Sequence, residues 1–194
     1  IRDRLGNTYL INENGFEKIS QTAKDSIENY PAAIVTISRS SGEGDDISTV
    51  GSDGEDGTYL SLSESEISVL KGLTELKEQG KVSKIIVILN SSATIQLDFM
   101  YREDIKIDAC MWVGNVGSAG ITAVAKALTG DIVPSGKLSD TYAKNNFSSP
   151  AAMQLSYNAG KSFAQAYENS DGLNSTQMYY GVYTCLLYTS DAAD

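Results

Sequence analysis

The chain has 194 residues, a length that suits one domain, or one domain with an additional segment. It is 41% hydrophobic and 21% charged, which is ordinary for a globular chain that can bury a core. The net charge of -10 argues against a nucleic-acid partner, because phosphate backbones bind basic surfaces. Histidine is absent, which excludes Ser-His-Asp catalysis, Cys-His catalysis and His-ligated zinc within this chain.

The two cysteines and the apolar runs exclude further classes of protein. Cys110 and Cys185 are too few for a disulfide framework or a zinc cluster. The longest unbroken apolar run, Ile85 to Leu89, is far too short to span a membrane. We therefore expect no metal, no cofactor and no membrane-spanning segment, and the sequence indicates no cellular location.

The first predicted elements are a helix and a strand. Apolar residues recur at helical spacing over residues 16–29, Asn14 can cap the start, and Pro31 ends the pattern. Residues 32–38 form a short β-branched run without charge, which is typical of a buried parallel strand.

A second helix has clear signals at both ends. Ser63 and Glu66 form a capping box, with Leu62 and Ile67 at the hydrophobic-staple positions. Gly80 suits the C-terminal end of this helix. Its apolar face is predicted to hold Ile67, Leu70, Leu73 and Leu76.

Strands and helices continue to alternate in the middle of the chain. Residues 84–89 and 107–113 are predicted strands, and residues 117–128 are a predicted helix with Gly130 beyond its end. Strands that alternate with helices at this spacing imply right-handed crossovers. The predicted fold is α/β: a three-layer sandwich with a mostly parallel, doubly wound sheet.

The alternating pattern also suggests the domain organisation. We expect residues 16–183 to form the α/β domain, with residues 144–178 as an irregular excursion and residues 1–15 as a linker or remnant of a preceding region. The last ten residues, CLLYTSDAAD, resemble the translated read-through of a sequencing adapter. Residues 184–194 are therefore predicted to be a non-native tail, the alternative being a short C-terminal strand.

The glycine- and acid-rich stretch of residues 40–57 follows the first predicted strand, where ligands of parallel sheets bind. Glu43 lies between two glycines, which allow a ligand to approach closely. The stretch contains no lysine to attract a phosphate, and its acids miss the calcium-loop spacing. Composition alone leaves a solvated acidic turn region as the alternative interpretation.

Two other glycine-rich stretches fail as nucleotide-binding motifs. Residues 130–139 miss the spacing of a phosphate loop and are interpreted as a turn that links a helix to a following strand. Residues 114–120 are not a dinucleotide fingerprint, and their glycines are expected to allow close packing. Trp112 could stack on a sugar or lie in the core.

A set of motifs resembles glycoside hydrolase family 3, which includes many β-glucosidases. Residues 37–46 (ISRSSGEGDD) resemble that family's ISR-x-SGEG-x-D segment, and later segments resemble other family motifs in the same order. These later segments are residues 60–66 (a helix start), 85–90 (a strand), 112–120 (W-x-G-x-x-G-G), 128–138 (L-x-G-D-x-N-P-S-G-K-L) and 179–183 (a truncated G-I-Y segment).

The resemblance implies a retaining, exo-acting β-glycosidase that acts on an oligosaccharide or other β-glycoside. It implies that Glu43 is the general acid/base. It also implies that Arg39 and Asp46 bind substrate or shape the loop, with a mainly structural role for Asp46. The nucleophile would lie in an N-terminal TIM-barrel domain outside this chain, so the isolated chain is expected to be inactive.

Departures from the family motifs keep other functions open. Ile47 stands where an arginine is usual, Val133 stands where asparagine is common, and Ser118 and Ala119 interrupt the paired glycines. These changes motivate an alternative, a non-catalytic module that binds a carbohydrate or a partner. A signalling domain of the receiver or flavodoxin-like type is disfavoured, since no aspartate ends the second predicted strand.

Overall fold

The computed structural model describes residues 11, 15–40 and 59–146. Within these residues, strands β1 (Ala33–Arg39), β2 (Ile85–Ser91) and β3 (Ala109–Trp112) form a parallel sheet in the order β1-β2-β3. The helices are α1 (Gln21–Ser26), α2 (Glu64–Glu78) and α3 (Gly117–Thr129), and the short 3-10 helices are Phe16–Lys18, Ile27–Asn29 and Asp98–Tyr101. The predicted α/β class with a parallel sheet is confirmed.

Helix α2 begins and ends as its sequence predicts. The Ser63 hydroxyl accepts from the Glu66 amide, and the Glu66 carboxylate accepts from the Ser63 amide, so the capping box is complete. At the other end Gly80 has a φ of 77°, and the amides of Gly80 and Lys81 donate to the carbonyls of Lys77 and Leu76. This pair of bonds is a Schellman motif, which only a residue tolerant of positive φ completes without strain.

The main hydrophobic core lies between α2 and one face of the sheet. Side chains alternate across a strand, so every second residue of β1 and β2 faces this helix. The connection from β2 to β3 adds Phe99, which is fully buried. The cluster includes Ile37, Leu70, Leu73, Leu76, Ile85, Val87, Leu89, Ile95, Phe99 and Ile105.

The single helix predicted over residues 16–29 is wrong. Ile19 is extended, with φ -67° and ψ 125°, and separates a 3-10 turn from α1. The Ser20 hydroxyl then accepts from the Ala23 amide and caps α1. Ile19 and Ala23 are both buried, so the apolar spacing predicted the burial of these two residues correctly. Serine bonding to the local backbone competes with a continuous helix, which is why the pattern overstated its length.

Two further predictions about strands need correction. β3 is limited to Ala109–Trp112, although 107–113 was predicted; the Asp108 and Val113 amides continue the bonding to the carbonyls of Ile85 and Leu89. The strand expected after residues 130–139 does not occur within residues 131–146. Residues 131–141 are all exposed, so they make no buried sheet contact.

Several predicted boundaries cannot be placed on this fold. The limit at residues 183/184, the 184–194 tail and residues 147–178 of the excursion lie outside the described residues. Of the predicted linker, residues 1–15, only Ile11 and Gly15 are described, so the limit at 15/16 stays a prediction. Among the helices that the structure describes, none combines the length and apolar character that crossing a bilayer needs.

Asp108 joins the starting ends of β2 and β3. Its carboxylate accepts from the Ile85 amide at 2.8 Å and from Lys77 on α2. The Lys77 hydrogen bond is the main cause that lowers the pKa of Asp108, followed by the bond from the Ile85 amide. A lowered pKa in the folded state means that the ionised form stabilises the fold.

We therefore expect Asp108→Asn to destabilise the protein by about 1 kcal/mol at pH 7, since a charge-assisted bond on a partly exposed group is weakened by solvent. The stabilisation is present above the unfolded value near 3.8 and is lost as the pH falls through the lower folded value. Thermal unfolding at pH 7 and at pH 3 measures both effects. Asp25→Asn on the exposed side of α1 is the control, and equal losses from the two variants would contradict the prediction.

Candidate active site

The carboxyl ends of the strands meet at one rim of the sheet. Arg39 at the end of β1 is in register with Ser91 at the end of β2. The indole N–H of Trp112, at the end of β3, donates to the Ser91 carbonyl at 2.8 Å. Ligands of open parallel sheets bind outside this edge, so the rim is the candidate site.

Arg39 is buried at this rim, with only 7% of its surface exposed. Its Nε donates to the Tyr59 carbonyl at 2.5 Å and its Nη2 to the Ser61 carbonyl at 2.8 Å. Its Nη1 donates to the Ser38 carbonyl at 2.8 Å. The guanidinium therefore connects the end of β1 with the chain that returns to α2.

Glu66 neutralises the charge of Arg39. Its Oε1 accepts from Nη1 at 2.8 Å and its Oε2 accepts from Nη2 at 2.6 Å. Oε2 also accepts from the Ser63 amide at 2.9 Å as part of the capping box. The first turn of a helix favours a negative charge, so the same carboxylate caps α2 and holds the arginine.

Tyr59 adds a second connection between the end of β1 and the chain that returns to α2. Its hydroxyl oxygen accepts from the Ser40 amide at 3.0 Å. Its ring centroid lies 5.6 Å from the guanidinium carbon of Arg39, within cation–π range. Hydrogen bonding from Ser40 lowers the pKa of Tyr59 below its ordinary value.

The Trp112 side chain is partly exposed and packs against a glycine. It is 37% exposed, and its ring lies against Gly114, where an added Cβ would be 3.0 Å from the ring. Gly114 also has a φ of 56°, a conformation that other residues rarely adopt. The expectation that a glycine in residues 114–120 permits close packing is met at this position.

Cys110 is a free and half-buried cysteine on β3. Burial raises the pKa of the Cys110 thiol to about 11, so this cysteine is a poor nucleophile at neutral pH. Among residues 11, 15–40 and 59–146, no cluster of three or more acids and cysteines is arranged to hold a metal ion.

Of the three predicted site residues, only Arg39 lies within the described part of the chain. Arg39 lies at the rim and is bonded to the chain on both sides of residues 41–58. Glu43 and Asp46 lie outside the described residues. Sequence reasoning missed Glu66 and Tyr59 as partners of Arg39, although an arginine at the end of a buried strand requires acceptors and Glu66 was already placed at the start of the next helix.

The fold and rim define a parallel α/β domain with a buried arginine at the end of its first strand, followed by an acidic, glycine-rich segment. Residues 1–185 match the glycosyl hydrolase family 3 C-terminal domain. The chain belongs to this family, and the resemblance inferred from its motifs is confirmed.

Two curated relatives with similar sequences are named as β-glucosidases. The chain is 33% identical over 120 residues to a beta-glucosidase of Ruminococcus albus, an alignment that covers 62% of this chain and 11% of that protein. It is 31% identical over 127 residues to beta-glucosidase A of Butyrivibrio fibrisolvens, covering 57% of this chain and 15% of that protein. The chain thus spans only a small part of the length of these relatives, and no solved structure matches it.

Proposed function

We propose that this chain is the acid/base-bearing domain of a retaining, exo-acting β-glycosidase of the β-glucosidase type. One observation carries the proposal: the ISRSSGEGDD segment begins on β1, whose last residue, Arg39, lies at the rim where ligands of parallel sheets bind. Family membership and the names of the two relatives support a β-glucoside as the substrate.

In the proposed mechanism, Glu43 begins as a carboxylic acid. It donates its proton to the glycosidic oxygen while an aspartate of a TIM-barrel domain attacks the anomeric carbon, which releases the first alcohol and leaves a covalent glycosyl-enzyme. Glu43, now a carboxylate, then removes a proton from a water molecule that attacks the same carbon. Two inversions give a product with retained configuration.

The two carboxyl groups of a retaining enzyme lie roughly 5 to 5.5 Å apart. Glu43 must therefore reach across a junction to the nucleophile of the other domain. The acids that surround it in sequence, Asp45 and Asp46, favour its protonated form through like-charge repulsion. In this proposal Asp46 acts on the structure and charge of the segment, and it takes no part in bond cleavage.

The stereochemistry of hydrolysis tests this proposal. We expect the complete enzyme to hydrolyse an aryl β-glucoside and to release the β-anomer of glucose first, as followed by proton NMR before mutarotation. The isolated 194-residue chain is the control and should show no turnover, because it lacks the proposed nucleophile.

Initial release of the α-anomer would contradict the retaining mechanism. Saccharide binding by the complete protein without any hydrolysis would instead support the alternative function, a non-catalytic carbohydrate-binding module.

A further inference from the structure

Trp112 places an aromatic side chain at the rim of the sheet. It is the last residue of β3, and its register partner on β2 is Leu89. Ser91 follows Leu89 by two residues, and Arg39 is the register partner of Ser91. Residues two apart on a strand point to the same face, so Trp112, Ser91 and Arg39 share one face of the sheet at its carboxyl end.

Two contacts fix the orientation of the Trp112 indole. Its N–H donates to the Ser91 carbonyl at 2.8 Å, which ties the side chain to the neighbouring strand. Its six-membered ring lies against Gly114, where an added Cβ would be 3.0 Å from the ring atom Cζ2. A side chain that is already held in place loses little conformational freedom when a ligand binds to it.

The exposed part of Trp112 offers a ligand an apolar contact and no hydrogen bond. The indole N–H is the single polar group of a tryptophan, and here Ser91 accepts it. The side chain is nevertheless 37% exposed, although it ends a strand that is packed in the sheet. A rigid aromatic surface of this kind suits a ligand that has an apolar face of its own.

Arg39, on the same face, offers a ligand neither a free charge nor a free N–H group. A guanidinium has five N–H donors, and those of Arg39 make five bonds within the protein. Two of the five go to the Glu66 carboxylate, which neutralises its charge. This part of the rim therefore favours a neutral ligand that stacks on Trp112 over an anion that pairs with Arg39.

We propose that Trp112 is a sugar-binding residue that stacks on a glucosyl ring of the substrate. The hydroxyl groups of a β-glucosyl ring are equatorial, so its axial C–H groups form an apolar face that matches the exposed indole. This inference rests on the proposed function in one respect, because it takes the ligand to be a β-glucoside. It requires no particular acid, base or nucleophile.

The binding of thiocellobiose by the complete enzyme tests the proposal. Sulfur replaces the glycosidic oxygen of this disaccharide, so its binding can be measured by calorimetry without hydrolysis. We expect Trp112→Ala to raise the dissociation constant about tenfold, the effect of leaving about 50 Å² of apolar surface unburied. Trp112→Phe keeps a smaller aromatic ring and should raise the dissociation constant about threefold.

A second variant and a control show whether the orientation of the ring matters. Gly114→Ala keeps the indole but displaces it, because the new Cβ would crowd the ring and the φ of 56° disfavours alanine. We expect it to weaken binding as well. Tyr30→Ala is the control, because Tyr30 is a partly buried aromatic residue that precedes β1, at the opposite end of the sheet. It should leave the dissociation constant unchanged.

Fluorine NMR shows directly whether the sugar contacts the ring. In the complete enzyme labelled with 5-fluorotryptophan, the resonance that is missing from Trp112→Phe belongs to Trp112. It should shift when thiocellobiose is added, whereas a residue with a purely structural role gives no reason for a shift. If Trp112→Ala does not fold, Trp112→Phe and this resonance decide.

An unchanged dissociation constant in folded Trp112→Ala, an unshifted Trp112 resonance at saturating thiocellobiose, or no binding by the unchanged enzyme would overturn the proposal. Hydrolysis of an aryl β-glucoside, assayed in parallel, separates this failure from that of the proposed function. If hydrolysis proceeds with retention and the Trp112 variants bind normally, only the stacking role fails. If binding depends on Trp112 but no hydrolysis occurs, the stacking role stands and the catalytic function fails.

Discussion

Glu43→Ala in the complete enzyme is expected to reduce kcat/KM for an alkyl β-glucoside by about 100- to 10,000-fold, the usual range for the loss of a general acid. An alkoxide is a poor leaving group, so cleavage of this bond depends on protonation. The ratio kcat/KM reports the steps up to the first irreversible bond cleavage, which is the step that the acid assists.

The same variant should lose much less on an activated substrate. A dinitrophenolate leaves without protonation, so its kcat/KM should fall by about tenfold or less. Its kcat should fall further, because Glu43 also acts as the base that activates water in the second step. A burst of dinitrophenol followed by slow turnover would report the accumulated glycosyl-enzyme.

Glu55→Ala is the control for this experiment. Glu55 is another glutamate flanked by glycine in the same acid-rich stretch, and it has no place in the proposed mechanism. We expect it to leave both substrates unaffected. Equal losses in Glu43→Ala on the two substrates would indicate a collapsed site and would count against Glu43 as the acid.

Phe99→Ala is expected to have the largest effect on stability. The Phe99 side chain is fully buried in the cluster between α2 and the sheet. Truncation of a buried phenylalanine removes favourable packing and leaves a cavity, at a cost of about 3 to 5 kcal/mol. Urea unfolding of the variant and the unchanged protein measures this difference.

Tyr101→Ala provides an aromatic control from the same 3-10 helix. Tyr101 is 68% exposed, and its ring contacts the Lys144 ammonium at 5.1 Å. Loss of an exposed cation–π contact should cost about 1 kcal/mol or less. If both variants lost equal stability, the connection between β2 and β3 would not be part of the core as described.

The elements that the sequence predicted well are those with local chemical signals. The Ser63 and Glu66 pair marked the start of α2, and Gly80 and Gly130 marked helix ends that do require positive φ. The β-branched runs marked β1 and β2 as strands of a parallel sheet. The burial expected for β1 is met on one face only, since Ile37 is fully buried whereas Ile34 on the opposite face is 38% exposed.

The errors arose where a pattern of apolar residues predicted burial correctly but did not correspond to one continuous helix or strand. Ile19 and Ala23 are buried at helical spacing, yet Ser20 interrupts the helix by bonding to the local backbone. Residues after Gly130 resembled a turn before a strand, but whether a strand forms depends on a partner that local sequence does not reveal.

The site was predicted only in part, because its contacts join residues that are distant in sequence. The motif drew attention to Arg39, but it gave no sign of the contacts with Tyr59 and Glu66, which are 20 and 27 residues away in sequence. Periodicity and spacing describe neighbours along an element, whereas these contacts depend on how β1 and α2 pack together. The pairing of Glu66 with both Ser63 and Arg39 is a tertiary feature added to a local cap.

Azide rescue of Glu43→Ala most directly tests whether Glu43 is the acid/base. With dinitrophenyl β-glucoside as substrate, azide should raise kcat, because this anion attacks the glycosyl-enzyme without needing a base. The product should be β-glucosyl azide, identified by NMR, since a second inversion restores the starting configuration. No rescue by azide, or formation of the α-azide, would contradict the assignment of Glu43 as acid/base in a retaining mechanism.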